Sequence, residues 1–174
     1  MKPIKPKKCR ICKELFTPFR PLQVCCTAGC AIELAQKART RKEAIEHTQA
    51  KERIKTRGDH AKEAQAAFNA YIRARDADLP CVSCGRHSGQ RHASHFYATS
   101  IRPNLRFDES NVHASCAQCN KWMHGNLIPY RVELLNRIGK EELGRLDADI
   151  EPKHYSIEEL KNIKDLYKKK IKVL

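Results

Sequence analysis

Apolar residues recur along this chain with two helical periodicities, separated by a stretch that has none. From Ala31 to Asp78 the chain is dense in Ala, Lys, Arg, Glu and Gln, which are good helix formers. Gly58-Asp59 interrupts that run, so the pattern predicts two helices. The second sets Ala61, Ala64, Phe68, Tyr71 and Ile72 at intervals of three to four residues, a stripe suited to burial. The first is weakly apolar and reads as an exposed arm or a partner-binding helix. Residues 80–127 are rich in Gly, Ser, His, Asn and Pro and predict loops and short strands. Beyond Pro129, the positions Val132, Leu134, Leu135 and Ile138 suit another helix, with Gly139 and Gly144 marking its end region. Ser156 to Glu159 has the form of a capping box. Leu160, Ile163, Tyr167 and Ile171 then form one face of a last helix. Lysines 168–170 and Lys172 crowd its C-terminal end, where cations suit the helix dipole.

Composition narrows the class. In 174 residues there are few aromatics (6%) and many charges (31%), which argues against one large packed core. No run of about 18 apolar residues exists to span a membrane. The basic start, Met1-Lys-Pro-Ile, is not followed by the apolar stretch of a secretory signal. The expectation is a protein of a reducing cytoplasm. Lys plus Arg number 34 against 20 Asp plus Glu, a net charge of +14. Such an excess favours a polyanionic partner, nucleic acid first. A ribosome-associated basic protein is a competing class.

Nine cysteines fall in two groups, and in a reducing compartment clustered cysteines read as metal ligands. Cys81-x2-Cys84 and Cys116-x2-Cys119 supply four thiolates, the closed shell of a structural zinc. Such a metal contributes on the order of 10 kcal/mol to folding a small domain. At the N-terminus Cys9-x2-Cys12 is a knuckle whose partners are Cys26 and Cys30 or, one residue earlier, Cys25 and Cys30. Cys26 is preferred, because Cys30 then opens the following helix. Phe16 and Phe19 are expected beneath this second zinc. The segments expected are an N-terminal zinc knuckle (1–30), a basic helical linker or arm (31–78), a zinc-bearing core (79–128) and helices packed on that core (129–174).

Five of the eight histidines lie within positions 87–124. If the cysteines saturate the zinc, these imidazoles are free for other chemistry. The stretches His92-Ala-Ser-His95-Phe96, Asn111-Val-His113-Ala-Ser-Cys116 and Cys119-Asn120 resemble the HNH, or ββα-metal, nuclease motif. The resemblance implies an α+β fold: a zinc-stabilised, treble-clef-like core flanked by helices. It implies His95 as general base, Asn111 as the residue that holds the hairpin loop and orients His95, and Asn120 as ligand of a catalytic Mg²⁺ or Mn²⁺. Asn stands at position 120 where the name-giving motif has His, as it does in the similar recombination endonuclease VII family. Where an acidic second ligand is expected the chain has His92, which would move the preference toward Mn²⁺ or a softer ion. His113 and His124 are second-tier candidates.

Together with Leu105-Arg-Phe107 and Gly125-Asn-Leu-Ile-Pro-Tyr-Arg, these motifs resemble the lambdoid phage NinG (Rap, recombination adept) family over nearly the whole chain. That resemblance implies a structure-selective DNA endonuclease of phage recombination in the bacterial host cell. Its substrates would be branched intermediates such as Holliday junctions and D-loops. It admits phage recombination proteins as partners, and a homodimer would supply the two cuts that a symmetric junction requires. Arg102, Arg106 and Lys121 are the expected phosphate contacts near the scissile bond. The alternative is a non-catalytic zinc-finger module that binds nucleic acid.

Overall fold

The computed structural model describes residues 5–174, and the basic start Met1–Ile4 lies outside the described residues. The chain divides into two compact units, one ending at Lys55 and one spanning Thr56–Leu174. The helical segment expected as a single arm over 31–78 is therefore split between them.

In the first unit, β1 (Lys7–Lys8) and β2 (Leu15–Phe16) form a short antiparallel hairpin around the Cys9–Cys12 knuckle. Lys13 takes a left-handed φ of 65° to close the turn, its amide donating to the Cys9 carbonyl. Thr27 caps α1 (Ala28–Arg53) by accepting from the Cys30 amide at 3.2 Å. No residue of α1 is buried. Ion pairs one turn apart, Glu33–Lys37 at 2.7 Å and Arg39–Glu43 at 2.8 Å, run along it. Each contributes a few tenths of a kcal/mol at about one turn's spacing.

In the second unit, α2 (Arg57–Arg75) starts at a capping box between Thr56 and Asp59. The interruption expected at Gly58-Asp59 thus lies two to four residues earlier, and Asp59 starts the helix because its carboxylate accepts from the Thr56 amide at 3.0 Å. Ala64, Phe68, Tyr71 and Ile72 are buried as their spacing predicts, and Ala61 packs against them. They meet Leu160 and Tyr167 of α4 (Ile157–Ile171). Phe68 stands edge-on to Phe107 at 5.8 Å and to Tyr167 at 4.8 Å. The Ser156–Glu159 capping box forms as read from the sequence.

The strands β3 (Arg91–His95) and β4 (Val112–Cys116) pair antiparallel, His95 opposite Val112 and His92 opposite Ser115. Residues opposite one another share a face and faces alternate. Ala93, His95 and Val112 therefore share one face, and Ala93 and Val112 join the α2–α4 core. Ser94 and His113 share the other face, where the His113 ring lies edge-on to Tyr130 at 6.3 Å. The outer edge of β4 is covered: Asp76 accepts from the Ala114 amide at 2.8 Å, Arg75 donates to the Val112 carbonyl at 2.9 Å and the Val82 amide donates to the Ala114 carbonyl. Such cover removes an open edge for pairing.

The helix α3 (Leu127–Ala148) breaks at Gly139, as that glycine predicts: it has φ 80° and ψ 168°, and a second helical segment follows through Gly144 to Ala148. Tyr130, Leu134, Leu143 and Leu146 pack with Val82, Phe96 and Leu105 in a second core. Val132 and Leu135, expected inward, are 62% and 42% exposed. Tyr130, Leu134 and Ile138 recur every four residues on the inward face and Val132 and Leu135 fall off it, while beyond the kink Leu143 and Leu146 are buried.

Candidate functional site

Two groups of four thiols converge: Cys9, Cys12, Cys26, Cys30 and Cys81, Cys84, Cys116, Cys119, each with ligand atoms within 4.8 Å of one another. A tetrahedral zinc with Zn–S near 2.3 Å needs sulfur–sulfur edges of about 3.8 Å. The separations Cys12–Cys26 (3.5 Å), Cys26–Cys30 (3.7 Å) and Cys84–Cys116 (3.8 Å) meet that requirement. The Cys116 amide points at the Cys81 sulfur at 3.2 Å and the Cys119 amide at the Cys116 sulfur at 3.5 Å. Such donors favour thiolates. Burial pushes Cys84 up, but the amide and guanidinium of Arg86 outweigh it and bring the thiol down to about 6. Burial and the neighbouring thiols Cys84 and Cys116 push Cys119 up to about 12. Four thiols this close ionise unequally, and a dication between them removes their repulsion. Both sets therefore fit structural zinc.

The preferred ligand at the first cluster, Cys26, is the one that joins it. Cys25 is buried outside the sulfur tetrahedron, its thiol 3.5 Å from the Cys30 carbonyl. Phe16 is half-buried, but Phe19 is 92% exposed and packs under nothing; Pro18 is the buried residue of that turn.

His95 closes β3 and is half-buried. Its Nε2 lies 3.0 Å from the Arg106 carbonyl. A carbonyl only accepts, so Nε2 carries the proton and the lone pair of the neutral ring resides on Nδ1. Burial lowers the pKa of His95, more than the Arg106 carbonyl raises it, so the ring is neutral at pH 7. The Phe68 ring lies 6.5 Å away.

Asn111 is fully buried and uses both ends of its amide. Oδ1 accepts from the Tyr97 amide at 2.8 Å; Nδ2 donates to the Tyr97 carbonyl at 3.0 Å and the Leu105 carbonyl at 3.1 Å. It thereby clamps both ends of the 97–105 loop. The hydrogen bond to the His95 ring comes instead from Arg106, the residue after Leu105, in the 3₁₀ turn Pro103–Phe107.

Strand alternation puts His92 on the face opposite His95, so the two imidazoles do not converge. His92 Nε2, His113 Nδ1 and Ser115 Oγ are each buried without a hydrogen-bond partner on their shared face. Burial, then the nearby Arg75 guanidinium, pushes His113 down to about 4. Asn120 follows Cys119 in the wide helical turn Gln118–Trp122 and is half-buried; Lys121 and His124 are exposed. Among the described residues, no third set of three His, Cys, Asp or Glu side chains comes within ligand distance. Arg102 is drawn into the fold, donating to the Asp149 carbonyl at 2.7 Å and lying over the Tyr97 ring. Arg106 donates its Nε to Gln65 at 2.8 Å. Tyr130 was not legible as part of this region. Its buried hydroxyl accepts from the His113 amide at 3.1 Å and donates to the Ser94 carbonyl at 2.7 Å, bridging a cross-strand pair.

Fold and site together define a small, strongly basic protein of mixed α and β structure with two four-cysteine clusters whose geometry fits a metal ion. The chain belongs to the NinG family of lambdoid phages: the family described as bacteriophage lambda NinG protein matches residues 1–174. It is 40% identical to protein ninG of Escherichia phage 933W, over 97% of this chain and 93% of that one. It is 38% identical to protein ninG of Escherichia phage lambda, over 94% and 89%. Protein ninG of Salmonella phage P22 is 38% identical over 94% and 90%. No solved structure matches the chain. No helix of the described residues is long and apolar enough to cross a membrane.

Proposed function

We propose that this chain is a divalent-metal-dependent endonuclease of the ββα-metal (HNH) kind, acting on branched DNA. The observation that carries the reading is the bond from His95 Nε2 to the Arg106 carbonyl, which leaves a basic Nδ1 on a neutral imidazole at the end of a zinc-braced hairpin. In that role His95 takes a proton from the attacking water. Asn111 is a positioning residue: it clamps Leu105, and so the backbone that carries the Arg106 carbonyl. Asn120, next to Cys119, offers an amide oxygen to Mg²⁺ or Mn²⁺, which when bound would neutralise charge on the phosphate and the leaving 3′ oxygen. His92 lies on the wrong strand face to share that ion with His95. The charge of +14 suits sequence-independent contact with phosphates. Branched DNA as the preferred substrate follows from the motif resemblance.

The test is nicking of labelled four-way, three-way and linear DNA with Mg²⁺, Mn²⁺ and other divalent ions in turn. His95→Ala should keep its zinc and its DNA affinity and lose nicking. The wild-type rate should fall at acid pH with a midpoint below the ordinary imidazole value of 6.5, because burial disfavours the charged ring. A His95→Ala protein that cuts a four-way junction at the wild-type rate overturns the assignment. A second reading, the non-catalytic zinc-finger module, draws on the absence of a third ligand cluster among the described residues. It predicts junction binding with no cutting under any ion.

A further inference from the structure

We infer that a cleft beside the His95 support is a binding site for the phosphodiester backbone of DNA. The inference rests on the nucleic-acid reading above and extends it from Arg106, an expected phosphate contact, to residues outside every motif. The cleft, of about 290 Å³, lies in the second unit between the start of α2, the Pro103–Phe107 turn and the segment leading into α4. Three separate chain segments bring cations to it, Arg57, Arg106 and Lys153; His154, Tyr155 and Leu160 also line it. Arg57, Lys153 and His154 are exposed, while Leu160 is buried. A concave wall of this kind with one sign of charge focuses the field on an anion.

The carboxylates around it are engaged: Asp108 pairs with Arg145 at 2.7 Å, Asp149 accepts from Asn104 at 2.6 Å, and two others serve helix starts. Asp59 accepts from the Thr56 amide at 3.0 Å and Glu159 from the Ser156 amide at 2.8 Å. Lys153 stands 4.8 Å over the Tyr155 ring and only 4.0 Å from Glu159, an exposed and weak pairing. Gln65 holds Arg106 through Nε, which sets the guanidinium plane.

Position ties the cleft to the chemistry. The same Arg106 whose side chain lines it presents its carbonyl to His95.

The experiment uses the full-length, zinc-loaded chain and fluorescence anisotropy of a labelled four-way junction and a linear duplex, without added Mg²⁺ or Mn²⁺, over a series of NaCl concentrations. The Arg57→Ala/Lys153→Ala double variant should bind more weakly, with a log–log salt slope shallower by about 1.8, or 0.9 for each phosphate that is no longer neutralised. Arg57→Lys/Lys153→Arg should restore the wild-type slope. The control, Lys168→Ala/Lys172→Ala, removes the same charge from the far end of α4 and should leave the slope within error of wild type. An unchanged slope in the cleft variant, or an equal loss in the control, overturns the site. Because the readout is binding, its failure is separate from that of the nuclease reading: cutting that depends on His95 survives a failed cleft, and a charge-dependent cleft survives a protein that does not cut.

Discussion

Asn111 is the residue whose removal tests the architecture most directly. Its amide satisfies three backbone groups, the Tyr97 N–H, the Tyr97 carbonyl and the Leu105 carbonyl, at 2.8–3.1 Å with no exposure of its own. A buried polar group left without its partner costs about 1–3 kcal/mol, and a typical hydrogen bond contributes about 1 kcal/mol net. Asn111→Ala should therefore destabilise the Thr56–Leu174 unit by about 3–4 kcal/mol. At roughly 4 °C per kcal/mol for a unit of this size, the melting temperature should fall by about 12–16 °C. Asn111→Asp sharpens the test. The carboxylate keeps the shape and the acceptor for Tyr97 N–H but turns a negative oxygen on two carbonyls. Its pKa in the folded state must rise above the unfolded value of about 3.9, because the charged form is buried and repelled. The ionisation penalty is then full above the folded pKa and disappears as pH falls below the unfolded one, leaving the loss of one of the two donors, because the protonated acid has a single O–H to give to a carbonyl. The measurement is urea unfolding of wild type, Asn111→Ala and Asn111→Asp with saturating zinc at several pH values. A loss under about 1 kcal/mol for alanine, or a deficit for aspartate that does not shrink on acidification relative to wild type at the same pH, would refute the clamp.

The other predictions concern the metals and the kink. Atomic absorption should find two zinc ions per chain, two again in Cys25→Ser, and one in Cys26→Ser or Cys119→Ser. Far-UV circular dichroism should show unfolding of the hairpin unit in Cys119→Ser, with that unit spared in Cys26→Ser; loss of zinc from Cys25→Ser would reverse the choice of ligand. Gly139→Ala should cost about 1–3 kcal/mol by chemical denaturation, because φ 80° is strained for any side chain although nothing lies within 4 Å of the added methyl. A stability equal to wild type would mean that the kink straightens.

Features set by near neighbours were legible in the residues alone. The two thiol clusters follow from knuckle spacing, because a CxxC turn brings its sulfurs together whatever surrounds it. The Ser156–Glu159 box and the α2 stripe are equally local: one depends on three intervening residues, the other on 3.6 residues per turn. Where two local patterns compete, the reading is displaced or keeps an alternative. Gly58-Asp59 looked like a breaker, yet Thr56 and Asp59 satisfy each other's amides and begin the helix there. Val132 and Leu135 are expected in the apolar stripe of α3, but the inward face runs through Tyr130, Leu134 and Ile138 and leaves them exposed. Cys25 and Cys26 differ by one residue, and only the path of the turn decides which sulfur enters the tetrahedron.

The chain by itself determined its charge, its two sets of metal ligands, its helix starts and its family motifs, because each of these is encoded within a few residues or in their sum. Tertiary structure decided what surrounds each motif. Pairing of β3 with β4 sent His92 and His95 to opposite faces. The 3₁₀ turn brought the Arg106 carbonyl, 11 residues away, onto the His95 ring. The approach of Arg57 and Lys153, neither part of any motif, to Arg106 made a basic cleft. Such outcomes depend on which surfaces bury against one another, and no local pattern of residues records that choice.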